Sequence, residues 1–209
     1  MIALEPGPAG RFMQRLGPAI TRAWGLPRAI VVMSPHTATA TPFVLGGAHH
    51  EAIHDFGGFP PELDEVRYDA PGEPELARRV SGLLNQAGVP AQWTPHGGLD
   101  HGIWAPLRFA WPEADIPVVQ LSMDRRLDAR GHYELGRSLA ALRHEGVLIL
   151  ASGNVVHNLR DAFQRMQSRT RSARTADLTL LPCDRPTLTT HLQHDPVWKE
   201  ALFKEWRRH

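Results

Sequence analysis

Three short apolar runs constrain the fold of this 209-residue chain more than any other feature. They are AIVVM (29–33), IPVVQLS (116–122) and VLILAS (147–152), and each is rich in Val, Ile and Leu without a clean alternation of apolar and polar residues. Such runs are typical of strands that are covered on both faces, as in parallel sheets. The segment VPAQWTP (89–95) is a candidate for a further strand.

Helical patterns separate these runs. Apolar residues share one face in 73–87 and again in 132–145, and a further helix is predicted over about 8–24. Strands that alternate with helices predict an α/β fold in a single domain, with a mostly parallel or mixed central sheet flanked by helices. In such sheets ligands bind beyond the carboxyl ends of the strands, and we expect the functional site there.

Composition argues against several classes of protein. The 23 basic and 22 acidic residues are well mixed and give a net charge of +1, which indicates no nucleic-acid partner. The single cysteine, Cys183, leaves no internal disulfide, so the expected location is cytoplasmic. No apolar run approaches the length of a membrane span, and the first residues lack the layout of a signal peptide, so no membrane partner is expected.

Histidine is abundant, with twelve residues against two tyrosines, and it is the side chain most used for metal binding and for proton transfer near neutral pH. His36 follows AIVVM and His157 follows VLILAS, so both are predicted just beyond strand ends, on one rim of the sheet. An ordinary core or loop histidine remains the alternative for each. The pair His49 and His50 is interpreted as an exposed loop, since neighbouring side chains point apart.

Two predicted loops add polar and aromatic side chains to this rim. HDFGGFP (54–60) pairs His54 and Asp55 with a Gly-Gly hinge between Phe56 and Phe59, and is predicted to lay an aromatic wall and a proton donor over a flat ligand. GGLDHGIWAPL (97–107) presents Asp100 and His101 between glycines and then Trp104. For 54–60 a turn with a hydrophobic anchor is the alternative, and for 97–107 the adjacent Asp and His are by themselves a weak signal, because neighbouring side chains rarely hydrogen-bond each other.

Taken in order, SPHT, HDFGGFP, GLDHGIWAPL, PVVQLSMD and ASGNVVHNLR resemble the 4,5-DOPA extradiol dioxygenase family, which belongs to the LigB-type class III extradiol ring-cleavage dioxygenases. The resemblance runs from about residue 1 to residue 160. It implies an oxidoreductase that opens catechol-type, DOPA-like aromatic rings by inserting dioxygen. It also implies a mononuclear non-haem metal, Fe(II) for catalysis or Zn(II) as bound, because catecholate and dioxygen must both reach open metal positions.

The resemblance assigns roles residue by residue. It implies that His36 is a metal ligand, and that His157 is either a further metal ligand or the acid/base beside the metal. His101 is implied as a catalytic histidine that contacts a substrate hydroxyl or bound oxygen. The implied substrate-binding residues are His54, Phe56, Asp100 and Trp104.

The chain departs from the family pattern at both ends. Met1 coincides with the methionine of the family's His-Gly-Ser-Pro-Met loop, so that loop's metal histidine is absent, and no Pro-Thr-Pro-Glu-His stretch follows HNLR. We therefore expect a dioxygenase-like domain over 1–160 and a divergent tail over 161–209, explained by a frameshift near 161 or by ordinary divergence. A predicted helix at the end of the tail has an apolar face that a second subunit could cover in a homo-oligomer.

The remaining predicted ligands are His36 and His157, fewer than the three protein ligands such a metal needs. We therefore expect weak metal binding and little or no ring-cleaving activity from this chain. The alternative function is a non-catalytic homologue that keeps the fold as a binding module. A metal-dependent hydrolase that uses the two histidines ranks last, because no carboxylate is predicted at a strand end.

Overall fold

The computed structural model describes residues 7–55 and 61–153, all within one compact unit. In this part of the chain the strands are β1 (Ala29–Thr39), β2 (Phe43–Leu45), β3 (Gln92–Thr94), β4 (Val118–Asp124) and β5 (Val147–Ala151). The α-helices are α1 (Gly7–Trp24), α2 (Pro74–Gln86), α3 (His101–Ala110) and α4 (Ala129–Ser138), with short 3-10 helices at Pro61–Leu63 and Ala140–Glu145. The domain boundary expected at residue 160 lies outside the described residues and stays a prediction.

The strands form one mixed sheet in the order β3-β2-β4-β1-β5. Strand β1 lies between β4 and β5 and runs parallel to both. Strand β2 is antiparallel to β4 and parallel to β3. This sheet with flanking helices confirms the predicted fold class, and β3 confirms the further strand expected within 89–95.

The sheet separates two hydrophobic cores, which explains why its strands are apolar without alternation. Ile30 and Val32 of β1 pack in a core that includes Leu107 of α3. Val31, which points to the opposite face, packs in a second core that includes Leu84 of α2. Full burial of one such side chain contributes about 1.5–3 kcal/mol, so both layers of helices hold the central strands in place.

The predicted helix over 132–145 needs correction, because it begins earlier and is not continuous. Asp128 caps α4 by accepting a hydrogen bond from the backbone N–H of Gly131 at 2.8 Å, and residues 140–145 form a 3-10 helix instead. The leucines that predicted it, Leu135, Leu139 and Leu142, are all buried in the second core. The predicted stop at Gly146 is confirmed by its left-handed φ of 73°.

Strand β1 is longer than predicted, and this changes the place of His36. Residues Ser34 and Ala38 pair with consecutive residues of β4, so that residues 35–37 form a bulge without partners in that ladder. His36 therefore lies within a bulge of β1 and not beyond the strand's end. Pro35 carries no N–H, and the N–H of His36 donates to Oγ of Ser34 at 3.2 Å, so this stretch cannot continue a regular ladder.

The stretch 97–107 was expected to be a loop, but from His101 onward it is helix α3. Asp100 caps the helix by accepting a hydrogen bond from the N–H of Gly102 at 2.9 Å. Ile103, Trp104 and Leu107 are buried in the first core. The glycines and Pro106 obscured the helical pattern in the sequence.

The interpretation of His50 as an exposed loop residue is wrong, since it is only 2% exposed. Its Nε2 lies 3.0 Å from the carbonyl oxygen of Val118, at the start of β4, while His49 is exposed as expected. Among the described residues no helix is both long and apolar enough to cross a membrane.

Candidate active site

Three segments bring polar side chains together near the carboxyl end of β1: the bulge of this strand, residues 53–55, and the start of α3. The rings of His36 and His101 lie 3.9 Å apart between centroids, tilted by 48°. Nδ1 of His101 lies 2.5 Å from Oδ1 of Asp55. We call His36, Asp55 and His101 the histidine cluster. Their convergence follows from the fold, while the metal role of His36 and the catalytic role of His101 stay predictions.

The end of β5 joins the same region. The backbone N–H of Ser152 continues the strand by donating to the carbonyl of Met33 at 2.9 Å. Its hydroxyl donates to the carbonyl oxygen of Gly102 at 2.5 Å, in the first turn of α3. The end of β5 therefore lies beside the first turn of α3, and the place predicted for His157 beyond this strand lies outside the described residues.

Helix α3 approaches the β1 bulge closely because residue 102 is glycine. A Cβ added to Gly102 would overlap Oγ of Ser34 and lie 2.7 Å from Cδ2 of His36. Real Cβ atoms do not approach other atoms so closely, so any side chain here would push the helix and the bulge apart. Gly102 thus permits the ring contact within the histidine cluster.

Asp100 is 3% exposed, and both of its carboxylate oxygens accept hydrogen bonds from the protein. Oδ1 accepts from the N–H of Gly102, and Oδ2 accepts from the hydroxyl of Thr37 at 2.6 Å and from Nε2 of Gln120 at 3.2 Å. The substrate-binding role predicted for Asp100 stays a prediction. Its present contacts join the start of α3 to the β1 bulge and to β4.

His54 and Trp104 lie on the neighbouring side of the cluster. Nε2 of His54 is 2.9 Å from the carbonyl oxygen of Val66, and the His54 ring lies 5.5 Å from that of Trp104. The indole N–H of Trp104 donates to the carbonyl of Ile53 at 2.9 Å, and Trp104 is fully buried. Trp104 therefore anchors the segment that carries His54 and Asp55, while the predicted substrate contacts of His54 and Trp104 stay predictions.

Two predicted site residues, Phe56 and His157, lie outside the described residues. Within residues 7–55 and 61–153 no group of three or more His, Cys, Asp or Glu side chains could hold a metal ion. The described donors alone therefore do not fit a mononuclear metal site. His36 would need His157 and a further donor from elsewhere.

Sequence reasoning missed Thr37 and Gln120, which lie behind the histidine cluster. Gln120 carried a signal, because a buried amide within the apolar run PVVQLS requires hydrogen-bond partners. Those partners come from residues 37 and 100, far away in the sequence, so only the strand register identifies them.

Comparisons with known proteins identify the family to which the chain is similar. Residues 4–208 match the family model described as the catalytic LigB subunit of aromatic ring-opening dioxygenase. That range extends past residue 160, where the recognised motifs end, and the proposed division of the chain there stays a prediction.

Curated relatives resemble the chain over part of their length. It is 47% identical over 161 residues to 4,5-DOPA dioxygenase extradiol of Escherichia coli K12, covering 77% of this chain and 57% of that protein. It is 48% identical over 132 residues to 4,5-DOPA dioxygenase extradiol of Beta vulgaris, covering 63% of this chain and 49% of that protein. The chain thus spans about half the length of the curated relatives it matches.

A solved structure shares the fold. The crystal structure of an uncharacterized protein from Escherichia coli K12 superposes with a TM-score of 0.62 at 35% sequence identity. The match covers 92% of this chain and 75% of that chain.

Proposed function

Because the chain belongs to the LigB family of class III extradiol ring-opening dioxygenases, we propose that it acts on catechol-type, DOPA-like aromatics with dioxygen as the second substrate. The observation that carries the proposal is the histidine cluster, in which the fold brings His36, Asp55 and His101 into contact. The sequence predicted two of these three residues for this chemistry.

His101 is the residue that we propose as proton acceptor for a catechol hydroxyl. With its proton on Nδ1, the ring donates a hydrogen bond to the Asp55 carboxylate, and Nε2 is then the ring nitrogen that can act as a base. Asp55 thereby holds both the tautomer and the orientation of the ring, as a carboxylate partner does for catalytic histidines. The side chain of His101 is half-buried, so substrate can reach it.

The proposed metal would supply open positions at which catecholate and dioxygen meet. His36 is the described residue proposed to bind it, together with His157 from outside the described residues. Since no described group of three donors exists, the proposal rests on the family and on the place of His36 beside His101. The choice between iron and zinc belongs to the same proposal.

Oxygen uptake with DOPA or a simple catechol, measured with excess Fe(II) under reducing conditions, tests the function. A yellow ring-opened product is expected from a version that carries additional terminal segments, in which His101→Gln should abolish it, whereas His144→Gln, at an exposed position outside the cluster, should not. The 209-residue chain is compared with a version to which the terminal segments of the Escherichia coli relative are fused, because we expect the shorter chain to bind metal weakly.

Three outcomes separate the alternatives. Oxygen uptake by neither version contradicts the dioxygenase proposal. Catechol binding by both versions without oxygen uptake supports the non-catalytic binding module instead. One equivalent of tightly bound iron or zinc in the purified 209-residue protein contradicts the expectation of weak metal binding.

A further inference from the structure

Thr37, Asp100 and Gln120 lie next to the histidine cluster in the fold, and each of the three side chains hydrogen-bonds to the other two. The hydroxyl of Thr37 donates to Oδ2 of Asp100 at 2.6 Å and accepts from Nε2 of Gln120 at 2.9 Å. Nε2 of Gln120 also lies 3.2 Å from Oδ2 of Asp100, and the backbone N–H of Asp100 lies 3.4 Å from Oε1 of Gln120. We call these three residues the polar triad.

The polar triad contains a buried carboxylate, and burial of such a group costs free energy unless hydrogen bonds satisfy it. Asp100 and Gln120 are 3% and 2% exposed, and no ion pair with Asp100 occurs in the described part of the chain. The start of α3 favours the negative charge, and three donors satisfy the two oxygens. Loss of one donor leaves a buried acceptor with fewer partners, which costs about 1–3 kcal/mol, so the members hold each other in one geometry.

Each member controls the position of a different part of the site. Thr37 directly follows His36 in the β1 bulge, where the ladder to β4 is interrupted. Asp100 directly precedes His101 and caps its helix. Gln120 lies within β4, where its backbone pairs with Val32 of β1, so it provides a fixed point for the other two. Residues 35–37 lack ladder pairing with β4, and the hydrogen bonds of Thr37 instead connect the bulge to Asp100 at the start of α3 and to Gln120.

We propose that Thr37, Asp100 and Gln120 are positioning residues that fix the contact between His36 and His101. Their catalytic significance rests on the proposed function, but the geometric effect does not. This assignment gives Asp100 a role that needs no contact with substrate, in agreement with its burial and with the use of both its oxygens by the protein.

Substitutions at Thr37 test the proposal with little change in shape. Thr37→Val replaces the hydroxyl by a methyl group, and Thr37→Ser keeps the hydroxyl. Thr39→Val is the matched control on the same strand, because the hydroxyl of Thr39 bonds to the carbonyl of Thr41 and to Ser122, each at 2.8 Å. The measurement is the nuclear Overhauser effect between the ring protons of His36 and His101, which is expected at a centroid separation of 3.9 Å.

The expected result is loss of the inter-ring signal in Thr37→Val, with retention in wild type, Thr37→Ser and Thr39→Val. Retention in Thr37→Val, or equal loss in Thr39→Val, overturns the proposal, as does absence of the signal in the wild type. If near-ultraviolet circular dichroism shows that Thr37→Val is unfolded, Gln120→Met takes its place, since it removes the amide and keeps the length of the side chain.

Oxygen uptake with a catechol, measured on the version with the fused terminal segments, gives a second readout that depends on the proposed function. In Thr37→Val we expect kcat to fall by up to about 100-fold with a smaller change in KM, because a catalytic group displaced by ~1 Å reacts more slowly while substrate contacts remain. Thr37→Ser should restore kcat. An unchanged kcat despite loss of the ring contact contradicts the catalytic significance alone. Absence of oxygen uptake both from the 209-residue chain and from the version with the fused terminal segments contradicts the proposed function alone.

Discussion

At Gly102 the first turn of α3 comes so close to β1 that no side chain fits. We expect Gly102→Ala to lower the free energy of unfolding by about 1–3 kcal/mol, since the added methyl group would overlap Ser34 and press on His36. The control is Gly136→Ala in α4, where an added Cβ meets nothing within 4 Å and where alanine should stabilise the helix by about 0.5–1 kcal/mol. Urea unfolding measures both, and equal stability of Gly102→Ala and wild type contradicts the close approach.

His50 gives the fold a dependence on pH. Burial lowers the pKa of His50 below its ordinary value of 6.5, the hydrogen bond to the Val118 carbonyl opposes this in part, and His49 lowers it further. Below pH 6.5 the unfolded chain therefore binds a proton that the folded chain does not. We expect the free energy of unfolding to decrease as pH falls from 6.5, until the pH passes the lower pKa of the folded state.

A pair of substitutions isolates this effect. His50→Gln keeps an N–H that can donate to Val118 and removes the titration, so the decrease in unfolding free energy below pH 6.5 should become smaller. His144→Gln, at an exposed position, should keep the slope of the wild type. The measurement is urea unfolding at a series of pH values from about 5 to 8, and identical slopes in all three proteins would show that His50 is not responsible.

At the scale of elements, the N-terminal caps of α3 and α4 differ in the number of hydrogen bonds that each capping side chain makes. Asp128 is exposed and caps α4 alone, so Asp128→Ala should cost about 1 kcal/mol. Asp100→Ala removes a cap and also the acceptor for Thr37 and Gln120, so it should cost about 1–3 kcal/mol more. Denaturant unfolding compares the two, and equal losses would mean that the polar triad adds nothing to the cap.

Sequence patterns predicted the elements that have many consecutive or regularly spaced buried residues. Strands β1, β4 and β5 were recognisable because two cores make them continuously apolar. Strand β2 has only three residues, too few for a pattern, and α3 begins among glycines and contains Pro106. Both are stabilised by contacts with residues that are distant in the sequence, so no local pattern reveals them.

The sequence predicted individual residues of the candidate site, but not the contacts between them. His36 and His101 were found from their motifs, but their contact depends on the β1 bulge, on Gly102 and on the cap of α3. Gln120 reaches Thr37 only because β1 and β4 pair in one register. Sequence patterns thus identified chemically capable side chains, and the strand register determined which of them meet.

For the molecule as a whole, the central sheet makes the two cores interdependent. Each strand of the centre has one face in each core, so a cavity in either core should loosen the same strands. The histidine cluster includes His36 in the bulge of β1, and its geometry therefore depends on helices from both sides of the sheet. We therefore expect that substitutions in either core, on opposite faces of the sheet and far from the site, make β1 open more often.

Leu107→Ala in the first core and Leu84→Ala in the second core test this interdependence. Both leucines are at most 1% exposed, so each truncation should cost about 2–5 kcal/mol. Leu26→Ala, at a residue that is 58% exposed, is the matched control and should change stability by less than about 0.5 kcal/mol. Amide hydrogen exchange at Ile30 and Val31 should accelerate in both core variants and not in the control, because opening of either core frees β1. Faster exchange at only one of these two neighbouring amides in each variant would show instead that the two faces of the sheet open separately.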